Sequence, residues 1–281
     1  MKKLLKKVIP QKIVDRIKGR KTYKGYRIST SLSDNQVYND VCIEASLDMT
    51  AFANFRQNPA YKEILEHISE KDGQLYLDEI NKNYPELIKD LAEFKKNDEW
   101  GNPDLFDYPG VSKISTSTLR YIKVLGDLKT LFISLENFNI CEIGVGYGGQ
   151  CRIINALYGA ATYTLVDIKP ALMLTQRYLD NYILKSVVSY KTMNELEIRE
   201  YDLVISNYAF TELPRSIQDV YLYKTILNSK KGYITYNEIN PEHFQSYKKA
   251  ELLKLIPNSY AVDEVPLSGE NNCIIIWGSN S

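Results

Sequence analysis

An apolar run that stops on a cluster of glycines and restarts as a helix leaves a chain few choices of fold, and residues 140–157 hold such a run. Ile140-Cys141-Glu142-Ile143 reads as a short buried strand. Gly144-Val145-Gly146-Tyr147-Gly148-Gly149-Gln150 reads as the turn, and Cys151 to Leu157 as the helix it feeds. Four glycines in six positions let the backbone take positive φ and let a ligand approach without meeting a Cβ. The helix start adds unpaired N–H groups. A nucleotide-like ligand is expected at this turn.

Gly144, Gly146 and Gly149 satisfy the dinucleotide pattern G-x-G-x-x-G, which by itself is weak. Three features point elsewhere. Glu142 sets a carboxylate at the strand's end, where it would repel a pyrophosphate but could meet the ammonium of a methionine moiety. A second strand, Tyr163 to Asp167, ends in an acid suited to the two hydroxyls of an adenosine ribose. A third, Tyr201-Asp202-Leu203-Val204-Ile205-Ser206-Asn207-Tyr208, ends in polar and aromatic groups. E-x-G-x-G, a strand-terminal Asp and D-L-V-I-S-N in this order resemble class I methyltransferases. The resemblance implies S-adenosylmethionine as cofactor.

From Phe138 onward strands and helices alternate, the pattern of an α/β doubly wound sheet. The spacing predicts strands at 140–143, 163–167, 186–190, 202–206, 232–236, 259–264 and 273–277. Helices are expected at 149–158, 170–183, 214–228 and 241–255, and a hairpin at Gly269-Glu270-Asn271-Asn272. The fold class expected is therefore a Rossmann-like methyltransferase sheet of seven strands, the last antiparallel, which is where such a sheet departs from a nucleotide-dehydrogenase one. Three parts follow: a basic amphipathic segment at 1–30, a helical lid or substrate subdomain at 31–135, and an S-adenosylmethionine-binding core at 136–281. The middle part reads as helices without strong β-runs, starting at an N-cap Ser33-Asp34. It continues over Ala51 to Ile68 with a break near Pro59, Leu75 to Tyr84, Pro85 to Phe94 and Ser117 to Leu125, with a turn cluster at Trp100 to Asp104.

Charge enters at the N-terminus. The whole chain is formally neutral, so no global field draws nucleic acid. The first 27 residues nevertheless hold eleven Lys or Arg against Asp15 alone. Leu4, Leu5, Val8, Ile9, Ile13, Val14 and Ile17 recur between them at helical spacing. Such a helix packs on the domain or on a second copy in a homodimer, or attaches to an anionic membrane face; no run in it is long enough to span a bilayer. Cys42, Cys141, Cys151 and Cys273 are widely spaced, which reads as buried thiols of a cytoplasmic protein. With only His67 and His243 available, no ligand spacing calls for a metal.

Three segments taken together are similar to a narrower group, the sugar O-methyltransferase family of bacterial polysaccharide, capsule and antibiotic-glycoside clusters. They are Gly101-Asn102-Pro103 with Ser115-Thr116-Ser117-Thr118-Leu119-Arg120-Tyr121, then Glu142 to Gln150, then Ser206-Asn207-Tyr208-Ala209-Phe210-Thr211-Glu212-Leu213. The resemblance covers most of the chain from about residue 95 and implies methyl transfer to a hydroxyl of a sugar or sugar nucleotide. The cofactor-binding residues expected are Glu142, Gly144, Gly146, Tyr147, Gly148, Gln150, Asp167, Ile168, Asn207 and Tyr208. A sugar hydroxyl is a poor nucleophile at neutral pH and calls for a base. His243, after the fifth core strand, is one candidate. Glu212 is the other, as base or as the group that orients the imidazole. A phosphate-type or other small-metabolite acceptor, or an inactive cofactor-binding scaffold, is the alternative.

Overall fold

The computed structural model describes residues 36–279; the basic segment and the Ser33-Asp34 cap expected above lie outside the described residues. The helical region runs through α1 (Gln36–Leu47), α2 (Met49–Asn54), α3 (Pro59–Leu65), α4 (Glu70–Asn83), α5 (Leu91–Lys95) and α6 (Thr116–Phe132). Local chemistry sets their starts. Asn58 caps α3 with Pro59 at its first position, and Ser69 and Asp72 form a capping box on α4. That box starts α4 before Gly73 and Gln74, where the glycine suggested an opening. Gly73 is tolerated mid-helix because the Tyr108 hydroxyl occupies the space a Cβ would need.

A small hairpin corrects the expectation of an all-helical region. Strands β1 (Phe106–Tyr108) and β2 (Ser112–Ile114) pair antiparallel across Pro109-Gly110, with Val111 N–H donating to Tyr108 C=O at 3.1 Å and Gly110 at φ 78°. Pro then Gly is the signature of a tight turn. Its flanks are too short and too mixed to read as strands.

Beyond α6 the chain alternates β3 (Asn139–Ile143), α7 (Gly149–Leu157), β4 (Thr162–Val166), α8 (Lys169–Leu179), β5 (Val187–Lys191), β6 (Tyr201–Asn207), α9 (Arg215–Lys224), β7 (Ser229–Tyr236), α10 (Lys249–Leu255), β8 (Tyr260–Asp263) and β9 (Cys273–Trp277). The seven strands lie in the order β5-β4-β3-β6-β7-β9-β8. All pairs are parallel except those of β9, which slots antiparallel between β7 and β8. This is the seven-stranded Rossmann-like sheet expected, with its last strand reversed. Three helices are shorter than predicted by more than a residue: 170–183 ends at Leu179, 214–228 closes with a 3-10 turn at Ile226–Asn228, and 241–255 splits into a turn at Glu242–Phe244 and α10.

Both faces of the sheet are covered, so its central strands are apolar almost throughout. On one face Ile140, Tyr163, Leu165, Leu203 and Tyr233 join Leu119, Ile122, Leu125 and Leu128 of α6 and the helices α1 to α8 in one continuous core. On the other, Cys141, Ile143, Val204, Ile275 and Trp277 pack against α9 and α10. All four cysteines are free and buried, and burial pushes the Cys141 thiol up to about 12. Among the described residues no helix is long and apolar enough to cross a membrane.

Candidate active site at the switch point of the sheet

Strand β3 has β4 on one side and β6 on the other, so the chain leaves it in opposite directions and a crevice opens at the strands' carboxyl ends. Three segments meet there. Gly144, Gly146 and Gly148 follow β3 at φ 75°, 54° and 92°. Asp167 follows β4, and β6 ends on Asn207 with Tyr208 next. Tyr208 is a bulky residue at φ 65°, a conformation that costs free energy and is found at sites the surrounding structure over-determines. Ser206 fixes the strand ends by donating to Ile143 C=O at 2.9 Å and accepting from Phe210 N–H at 3.0 Å. Ala209 then sits so close to Gly144 that a Cβ there would lie 1.9 Å from its own. Only glycine lets the two turns pass.

Each expected cofactor residue has a definite setting. Glu142 is buried under the turn and accepts from the Tyr163 hydroxyl at 2.6 Å; burial pushes its carboxyl up to about 8. Asp167 is half-buried and caps the turn: Oδ2 accepts from Val145 N–H at 2.7 Å and Gly146 N–H at 3.3 Å, and Oδ1 from Ile168 N–H at 2.7 Å. Burial raises its carboxyl and these three amides oppose the rise. Asn207 accepts weakly from Thr235, 3.4 Å away. Tyr208 donates to Glu264 and lies 2.9 Å from the Ser268 hydroxyl.

Two of the set turn away from the crevice. The Tyr147 ring is fully buried, edge-on to Tyr178 at 4.8 Å between centroids and under the Arg56 guanidinium at 4.9 Å, so only its backbone faces the turn's ligand side. Gln150 is also buried, donating to Tyr121 C=O at 3.3 Å, while its Oε1 has no partner. From the helical region, Leu65 reaches Gly146 and Tyr121 crowds Gly149, against which the turn's own Tyr147 also packs. The helices therefore roof the turn.

The two proton-acceptor candidates are not brought together. Glu212 accepts from Asn237 Nδ2 at 2.7 Å, and burial raises its carboxyl above the usual range against that bond and against Arg120. His243 is exposed on its 3-10 turn, its ring edge-on to Phe244 at 4.9 Å. No hydrogen bond joins Glu212 to this imidazole; its carboxylate is held by Asn237, just past β7. Sequence reasoning gave no role to Arg120, which lies on α6 in the same crevice, nor to His67, whose imidazole is held below its ordinary pKa by burial and by the Arg120 cation. The cue was the polar run Ser115 to Thr118 opening an otherwise apolar helix. No group of three or more His, Cys, Asp or Glu among the described residues is disposed to hold a metal. Two cavities of about 530 and 330 Å³ open elsewhere, beside α1 and α2; the first is partly filled by Arg177, which sits over Phe52 at 4.7 Å.

No protein-family model matches the chain, and no curated protein does. Among solved structures it is similar to magnesium protoporphyrin IX methyltransferase from Synechocystis, crystallised with S-adenosylhomocysteine, at 12% identity over 56% of this chain and 78% of that one, TM-score 0.39. It is similar to the methyltransferase domain of a bacterial CtHen1, at 12% identity over 56% and 96%, TM-score 0.40. It is also similar to the pyocyanin biosynthetic protein PhzM, at 12% identity over 57% of each chain, TM-score 0.40. Likeness at this level carries neither fold nor function, and the fold assignment rests on the strand order itself.

Proposed function

We propose that this chain is an S-adenosylmethionine-dependent O-methyltransferase acting on a hydroxyl of a sugar or sugar nucleotide. The observation that supports the cofactor most is the convergence, at one switch point, of a positive-φ glycine turn, a strand-terminal carboxylate and a strand ending on Asn207-Tyr208, in a sheet whose last strand is reversed. Support for the sugar comes from the likeness of Ser115 to Tyr121 and Ser206 to Leu213 to the sugar O-methyltransferase family. In this reading residues 136–281 hold the cofactor and residues 31–135 roof it.

The cofactor, when bound, supplies an electrophilic methyl group. The chain does the rest. Glu142 lies under the turn for an ammonium. Asp167 has about four acceptor sites and spends three on backbone amides. Holding two ribose hydroxyls therefore requires it to release the longest bond, to Gly146. Glu212 takes the acceptor's proton: burial brings its pKa closer to neutral, which is where a general base is most effective, and Asn237 fixes its direction. His243 sits at the rim without a comparable setting.

Calorimetry with S-adenosylhomocysteine and NAD tests the proposal. The first should bind with micromolar affinity and the second should give no heat; NAD binding without S-adenosylhomocysteine binding sinks it. Asp167→Ala should weaken cofactor binding by about 1.5–3 kcal/mol, the range for a charge-assisted acceptor. Glu212→Gln should leave that affinity unchanged and lower turnover about 10²–10⁴-fold on a panel of nucleotide sugars.

A further inference from the structure

Arg120 extends from α6 into the crevice between two aromatic rings, 5.6 Å from the Tyr121 centroid and 5.9 Å from that of Tyr208. Its Nε is shut off from solvent and has no hydrogen-bond partner, while the side chain as a whole stays partly exposed. A buried guanidinium donor without an acceptor is costly and rare in a folded protein.

The carboxylates near it are committed elsewhere. Glu66 takes both forks of Arg56 and the Ser117 hydroxyl. Glu212 is held by Asn237, and Glu264 by Tyr208 and Ser268. Among the described residues Arg120 thus has two aromatic faces to hold it in place and no anion hydrogen-bonded to it. Stacked rings fix the plane of the fork, and a fixed fork is suited to the two oxygens of a phosphate or carboxylate.

We infer that Arg120 is the receptor for an oxyanion carried by the methyl acceptor, a phosphate or carboxylate group that orients the acceptor's hydroxyl beside Tyr208 and Glu212. The inference rests on the methyltransferase reading above and narrows its acceptor to an anionic one; a neutral sugar would leave the guanidinium unpaired. Inorganic diphosphate is the probe, titrated by calorimetry into the full chain saturated with S-adenosylhomocysteine. Diphosphate should bind the wild-type protein, and Arg120→Gln should weaken that binding at least tenfold while S-adenosylhomocysteine affinity changes less than about twofold. Arg120→Lys, which keeps the charge and loses the fork, should fall between the two; its thermal midpoint and that of Arg120→Gln report whether the fold is kept.

Diphosphate binding that is absent, or equal in all three proteins, overturns the inference alone. So does a large loss of S-adenosylhomocysteine affinity in Arg120→Gln with 5′-methylthioadenosine affinity kept, because the anion would then be the cofactor's own carboxylate. A wild-type chain that takes neither S-adenosylhomocysteine nor diphosphate overturns this inference and the proposed function together.

Discussion

Glu142 shows what a single buried carboxyl does to a site. Burial outweighs the Tyr163 bond and pushes its pKa up to about 8 from an ordinary 4.5, so at pH 7 the free protein carries it mostly protonated. A folded-state pKa above the unfolded one means that this group's contribution to stability is fully present below about pH 4.5 and is lost as pH rises toward 8. A ligand ammonium beside it favours the ionised form and reverses the shift. Binding of S-adenosylhomocysteine near pH 7 should therefore release close to one proton. Calorimetry in two buffers of different ionisation enthalpy measures the release, and Glu142→Gln should abolish it; an unchanged buffer dependence would remove Glu142 from contact with the ligand's charge.

At the scale of elements, Arg56 joins segments far apart in sequence. Its guanidinium is fully buried, bidentate to Glu66 at 2.9 and 3.1 Å, and bonded to Asp98 at 3.1 Å, Ser115 at 3.0 Å and Ser117 at 2.7 Å. It also covers the Tyr147 ring. Arg56→Met would leave two nearly buried carboxylates without their cation, a change that costs about 3–5 kcal/mol in comparable networks. Urea unfolding should show that loss, and Arg56→Lys should recover only part of it because an ammonium cannot fill the fork; a loss under about 1 kcal/mol would mean that water replaces the guanidinium. None of this was legible in the sequence, where Arg56 follows Phe55 and opens a short polar run, Arg56-Gln57-Asn58, like a surface arginine at a helix end. The strands of the sheet were legible to within a few residues, because continuous apolar runs between glycines have no other use in an α/β chain. The glycine turn and Asp167 were legible for the same reason, each at the end of such a run. The inward turn of Tyr147 and the setting of Arg120 against the Tyr121 and Tyr208 rings depend on the helical region folding over the turn, a long-range event that no local pattern encodes.

The whole molecule is closed by its last strand. β9 touches both β7 and β8, and Gly232 of β7 has no room for a Cβ because the Trp277 indole of β9 lies 2.0 Å from where it would be. Without β9, β8 has no neighbour in the sheet and β7 becomes an open edge. A stop after Ser268 should thus yield chain that is insoluble or binds a hydrophobic dye; a soluble, cofactor-binding product would show that β9 is dispensable. Synthesis runs from the amino end, so α1 to α6 emerge before the sheet face they cover, and β8 emerges before β9, its partner among the described residues. The sheet can be completed only once β9 has been made. Until then the growing chain carries β7 as an open edge, and any ligand that needs the finished sheet can act only after Trp277 has been added.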